Sequence, residues 1–309
     1  MRLLFIFMDG LGLGADDPAL NPLAASRMPH LRALLGGKSL LASSAPGESE
    51  LASFRALDAQ LGVNSTPQSA TGQAALLCGV NVPLCIGYHY GPKPDAAVRQ
   101  FLTNGNLFHR LRQAGKRIRF LNAYPPRYFQ AIRTGRRMHA AIPLAMTSAG
   151  VKLPGEADLK KGEAISADLT GLGWRQQLGI TDAPVVSPDL AGVRAAALAQ
   201  SCDLAFFEYW LSDLAGHHQD IAEACRLLEE FDAFLGGLLQ AWDEREGMVL
   251  VTSDHGNLED LSTRRHTVNP VPLLLIGSRH LRTPFCEKVQ DLTHIAPAIL
   301  RLLQVEESP

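Results

Sequence analysis

The sequence predicts an α/β fold: a mostly parallel central sheet with helices on both faces. Three observations predict it. Short, uniformly apolar runs recur along the chain, as strands buried on both faces do. Segments with apolar residues at helical spacing separate those runs. Aspartates and histidines gather at the ends of the runs, where an open α/β sheet presents its ligands.

The first run, Leu3 to Met8, is stopped by Asp9-Gly10 and reads as a buried strand. Met28 to Leu35 places Leu31, Leu34 and Leu35 at helical spacing, and Gly36-Gly37 ends it. A helix follows Ser69, with Ala74 to Leu77 before Gly79, and Leu107 to Ala114 is another, ended by Gly115. Arg117 to Leu121 reads as a strand. Ala195 to Gln200 is helical and leads into the apolar run Leu204 to Tyr209. Ile221 to Trp242 is the longest amphipathic segment, and its Leu and Phe stripe reads as core. Met248 to Thr252 and Val271 to Ile276 are two more buried strands, and Asp291 to Leu303 closes as a helix. The irregular stretch 125–188 is read as a small insertion or reduced cap within a single domain spanning 1–309.

Composition narrows the function classes. A net charge of -2, from 29 basic and 31 acidic residues, argues against bulk nucleic-acid binding and against a polybasic membrane surface. Apolar residues at 46% with 19% charged exclude global disorder. No stretch approaches the ~20 apolar residues that span a bilayer. Five scattered cysteines without a CxxC pair read as reduced, mostly buried thiols. The expectation is a soluble, cytoplasmic protein.

Asp9 ends the first strand, Asp213 and His217 follow the strand ending at Tyr209, Asp254-His255-Gly256 follows Thr252, and His266 precedes Val271. Each alone has an ordinary explanation: a turn or cap aspartate, or a hydrogen-bonded core histidine. Six together at strand ends point to one crevice. Gly10-Leu-Gly12-Leu-Gly-Ala15 matches a loose dinucleotide fingerprint. That fingerprint needs a helix N-terminus at the pyrophosphate. Here Asp16-Asp17-Pro18 and Pro22 break the helix, and Asp9 would repel phosphate.

Met8-Asp9-Gly10, Asp213-Leu-Ala-Gly-His217, Ser253-Asp254-His255-Gly256-Asn257 and His266-Thr-Val-Asn269-Pro270-Val-Pro272-Leu273 resemble the metal motifs of the alkaline phosphatase superfamily. The branch they resemble holds cofactor-independent phosphoglycerate mutase and phosphopentomutase. The closing segment Asp291 to Leu300 is similar to that branch's terminal helix, and the likeness is weakest between Tyr124 and Pro188. It implies an alkaline phosphatase-like fold and two divalent metal ions, Mn²⁺ or Zn²⁺ rather than Mg²⁺ given three imidazoles. It further implies a nucleophile at Ser69, with Thr71 as the fallback, in Gln68-Ser69-Ala70-Thr71-Gly72-Gln73. Relatives often carry Gly-His where this chain has Gly72-Gln73. By the same carry-over, Asp9, Asp254 and His255 hold one metal with Ser69, and Asp213, His217 and His266 hold the other.

What the resemblance implies is two-metal phosphoryl transfer on a small phosphorylated substrate. Mutases of the branch shield a phosphoenzyme with a large cap inserted after the nucleophile. Only 144 positions separate Ser69 from Asp213, and several belong to core elements, so the expectation is hydrolysis of a phosphate mono- or diester. A phosphomutase is the alternative, and a catalytically silent metal-stabilised binding protein the second. A sulfatase is rejected because Ser65-Thr66-Pro67-Gln68-Ser69 has Ser where C/S-x-P-x-R needs Arg. Arg127, Arg136, Arg137 and His139 are candidate substrate contacts, since Arg suits bidentate phosphate recognition; a basic loop is also an ordinary solvated face.

Overall fold

The computed structural model describes residues 1–305. Seven strands form one sheet: β1 (Arg2–Met8), β2 (Gly47–Glu48), β3 (Ala52–Leu57), β4 (Ile118–Phe120), β5 (Leu204–Tyr209), β6 (Gly247–Thr252) and β7 (Val271–Ile276). Their order across the sheet is β2-β3-β7-β6-β1-β5-β4. β4, β5, β1 and β6 pair in parallel, whereas β7 pairs antiparallel with both β6 and β3, and β2 antiparallel with β3. Five strands therefore share one direction, and the antiparallel pairings gather on one side of the sheet.

β1 shows why the apolar runs lack polar alternation. Leu3, Phe5 and Phe7 enter one core, and Leu4, Ile6 and Met8 enter the other. Successive side chains of a strand point to opposite faces, so a strand covered on both sides must be apolar throughout. The first core lies under the helices Ser69–Cys78, Leu107–Gln113 and Ile295–Leu302. The second lies under Pro188–Ala199 and Ile221–Ala241, which pack on each other.

Several boundaries move. The helix read from Ala195 already starts at Pro188, where Pro occupies the first turn. The closing helix opens as a 3₁₀ turn, Leu292–His294, before Ile295–Leu302. No helix follows β1 at 10–20, so the dinucleotide fingerprint lacks the element it needs. Within 125–188, helix Ala141–Ser148 is buried in the main core, where Asn106 Nδ2 donates to Ala145 O at 3.2 Å. All five cysteines are free; Cys78 and Cys202 are buried, while Cys85 is exposed. Among the described residues, no helix is long and apolar enough to cross a membrane.

Candidate metal centre and nucleophile

The C-terminal ends of β1, β5 and β6 lie at one edge of the sheet. β7 runs the other way, so the segment before it returns to the same edge. Asp9 follows β1, and Asp254 and His255 follow β6. Helix Leu211–His218, which begins just after β5, carries Asp213 and His217 one turn apart. His266 arrives by the segment before β7, where Gly256 and Thr267 form an antiparallel bridge.

Side chains from these four segments converge. His255 Nε2 lies 3.3 Å from Asp9 Oδ1 and 3.6 Å from Asp254 Oδ2. Asp213 Oδ2 lies 3.2 Å from His217 Nε2, and its Oδ1 lies 3.6 Å from His266 Nε2. The His255 and His266 rings stack with centroids 3.7 Å apart. Ser69 is the first residue of helix Ser69–Cys78, and its Oγ sits 3.0 Å from His255 Nε2. Thr71 is turned elsewhere: its hydroxyl donates to Gln68 O and accepts Tyr90 N–H at 3.1 Å.

The donor set fits divalent cations. Each histidine gives its Nδ1–H to a backbone carbonyl: His217 to Arg264 O at 2.8 Å, His266 to Pro67 O at 3.0 Å, His255 to Gly256 O at 3.3 Å. All three Nε2 atoms are thereby left to face the carboxylates, the arrangement that orients a metal-binding imidazole. Asp9 Oδ1 is buried without a hydrogen-bond donor. Two groups have ligand atoms close enough to share an ion: Asp213, His217 and His266, and Asp9, Asp213 and His255. The second group differs from the sequence expectation by containing Asp213 in place of Asp254, whose Oδ2 accepts Gln73 Nε2 at 3.0 Å.

The electrostatics are those of a crevice short of positive charge. Burial holds Asp9 and Asp254 above the ordinary carboxylate range. Burial opposes charge on His255 too, but Asp254 and Asp9 beside it push its pKa to about 10. Burial and the charged His255 ring push His266 down to about 4. Asp213 is also buried, yet His217, His255 and Asn257 hold it below its usual range. In the metal-free chain, protons supply the neutralisation that a cation would otherwise provide.

The basic candidates do not join this cluster. Arg127, Arg136 and Arg137 are exposed. Arg137 lies over the Tyr128 ring, 5.1 Å from its centroid, and Tyr128 Oη is 2.7 Å from His139 Nδ1. Tyr128 stacks on Tyr124, whose hydroxyl donates to Glu208 at 3.3 Å. Burial and the nearby Asp9 push Glu208 to about 8. Sequence reasoning missed Glu208, Glu259 and the role of Asn257, whose Nδ2 donates to Asp213 Oδ1 at 2.7 Å; Gln73 stood out only as a departure from relatives, without its partner Asp254. Only Asn257 and Glu259 carried a signal, their closeness to Asp254-His255. Gly256 does not take a left-handed φ; what requires glycine there is the close approach of Glu259 and Thr267.

A family profile described as "Metalloenzyme superfamily" matches residues 1–307. The 2,3-bisphosphoglycerate-independent phosphoglycerate mutase of Desulforudis audaxviator is 37% identical over 117 residues, 35% of this chain and 22% of that protein. The chain thus matches about a quarter of the length of the curated relatives it resembles. The alkaline phosphatase of the Antarctic bacterium TAB5 superposes with a TM-score of 0.53 at 13% identity, covering 99% of this chain and 98% of its own. Phosphoglycerate mutase of Leishmania mexicana gives 0.51 at 13% identity, covering 100% of this chain and 96% of its own. At such identity these two neighbours speak for the fold.

Proposed function

The chain belongs to the metalloenzyme superfamily, and from that premise we propose that it transfers a phosphoryl group of a small phosphate ester through Ser69. The observation that carries the reading is Ser69 Oγ on a helix N-terminus, 3.0 Å from His255 Nε2 and beside the carboxylates. Asp9, Asp254 and His255 would hold one divalent cation with Ser69, Asp254 Oδ2 lying 3.6 Å from His255 Nε2, and Asp213, which reaches both groups, would hold the other with His217 and His266. Bound there, the cations would acidify the serine hydroxyl and offset phosphate charge.

The chain's own groups do the rest. The Ser69 hydroxyl gives up its proton as its oxygen attacks phosphorus; the P–Oγ bond forms, the ester P–O bond breaks, and the leaving alkoxide takes up one proton in return. In the first turn of helix Ser69–Cys78 the Thr71 N–H is taken by Tyr90 O, which leaves the N–H groups of Ser69 and Ala70 to meet an anion. A second attack on phosphorus, by another hydroxyl of the substrate or by water, frees Ser69.

The named relatives favour the first of these, so the expected activity is a phosphomutase acting on a phosphoglycerate; the sequence resemblance to phosphopentomutase adds a pentose phosphate to the substrates to test. Hydrolysis is the second reading, favoured by the shortness of 125–188, from which helix Ala141–Ser148 is drawn into the main core while Leu159, Ala164, Trp174 and Ala183 join a small separate cluster. The test loads the protein with Mn²⁺ or Zn²⁺ and follows phosphate esters by ³¹P NMR. A mutase moves phosphorus between carbons, whereas a hydrolase releases inorganic phosphate. No turnover of any ester by protein holding two metals would leave the binding-protein reading standing.

A further inference from the structure

One buried carboxylate lies outside both ligand sets yet touches the segments that carry them. Glu259 is 2% exposed. Its Oε2 accepts Gly12 N–H at 2.9 Å and Asn257 N–H at 2.8 Å. Its Oε1 accepts Asn269 Nδ2–H at 3.0 Å and the Thr267 hydroxyl. A carboxylate has about four lone-pair sites. All are used, so Glu259 has no acceptor capacity left for an ion.

The four donors come from three loops: the one after Asp9, the one holding Asp254 and His255, and the one following His266. Asn257 extends the link to a fourth segment, because its side chain donates to Asp213 Oδ1 at 2.7 Å. The fit is close on both sides, since a methyl group built at Gly12 or Gly256 would collide with the Glu259 carboxylate. None of its hydrogen-bond partners is charged, so no ion pair explains why a carboxylate is buried here. Charge-assisted bonds to backbone N–H groups are short and directional. They are suited to fixing loops whose side chains must meet within about 0.5 Å of a working geometry.

We propose that Glu259 is a positioning residue that sets the spacing of the metal-ligand loops. The proposal rests on the two-metal reading above. The test titrates metal-stripped full-length protein with Mn²⁺ by calorimetry, comparing wild type, Glu259→Ala and Glu259→Gln, with circular dichroism to report folding. Glu259→Ala should bind Mn²⁺ ~10–100-fold more weakly, the range for partners that orient ligands. Glu259→Gln keeps the shape and one acceptor oxygen, and should fall between. Turnover lost by either variant should return as Mn²⁺ is raised, because Ser69 is untouched. Folded variants that bind Mn²⁺ as wild type does overturn the proposal, even if their melting temperature falls. Should Glu259→Ala not fold, wild-type affinity in Glu259→Gln overturns it equally. Wild type that takes up no Mn²⁺ overturns the two-metal reading itself, and the proposal with it.

Discussion

The two halves of the cluster differ most in their access to water. Asp254 and His255 have fully buried side chains, whereas 40% of the His217 side chain is exposed beside Asp213 at 18%. Their proton affinities follow the charges beside each ring and not its exposure. His255, walled in by Asp254 and Asp9, holds its proton to about 10, while the stacked His266 is pushed down to about 4. Two imidazoles in face contact cannot both carry charge in a low-dielectric crevice. The buried half must exchange protons for its metal; His266 has none to lose at neutral pH.

The largest effect should come from the group that reacts. Ser69→Ala should lower turnover at least ~10³-fold while leaving Mn²⁺ stoichiometry at two per chain. If metal content falls in parallel, Ser69 is needed for binding more than for attack. Next, Asp254→Asn should weaken Mn²⁺ binding by more than the ~10–100-fold that orienting partners contribute. His217→Ala, on the exposed side where water can take its place, should cost less. Equal losses in calorimetry would break the comparison between halves.

A pH series sharpens the same contrast. Below about 10 the metal-free His255 is protonated, and a cation must displace that proton. Affinity at the buried half should therefore rise with pH, about tenfold per unit between pH 6 and 8 for one proton released. Burial raises Asp9 and Asp254 as well, so any proton they lose acts in the same direction. A flat Mn²⁺ affinity across that range would contradict it. The smallest effect is expected at Gln73, which donates to Asp254. Gln73→Ala should weaken metal at the buried half about tenfold, and Gln73→His should recover part of it.

Much of this was legible in the sequence because it is written in local patterns. Strands covered on both faces are nearly apolar throughout, so β1, β5, β6 and β7 could be read from their local runs, Glu208 in β5 being a buried exception. The six aspartates and histidines were legible as a set because they recur at strand ends. β3 was not: Ala-Ser-Phe-Arg-Ala-Leu is no uniform apolar run. Its Ser53 is buried against Arg282 Nη1 at 2.5 Å, a pairing 229 positions away in sequence. Helix Ala141–Ser148 shows the opposite failure. Its apolar residues were visible, but nothing local says that Asn106 and helix Ala96–Thr103 receive it rather than a lid.

The sequence by itself determined which segments are buried and which residues have metal-binding chemistry, since both follow from side-chain type and short-range period. Only the tertiary structure decided that Asp213 stands between two groups of possible ligands, that Thr71 is held away by Tyr90, and that Glu259 joins three loops. Those outcomes depend on how β1, β5 and β6 line up and on β7 returning against them. Strand register and direction are set by packing between residues far apart in the chain, which no local pattern encodes.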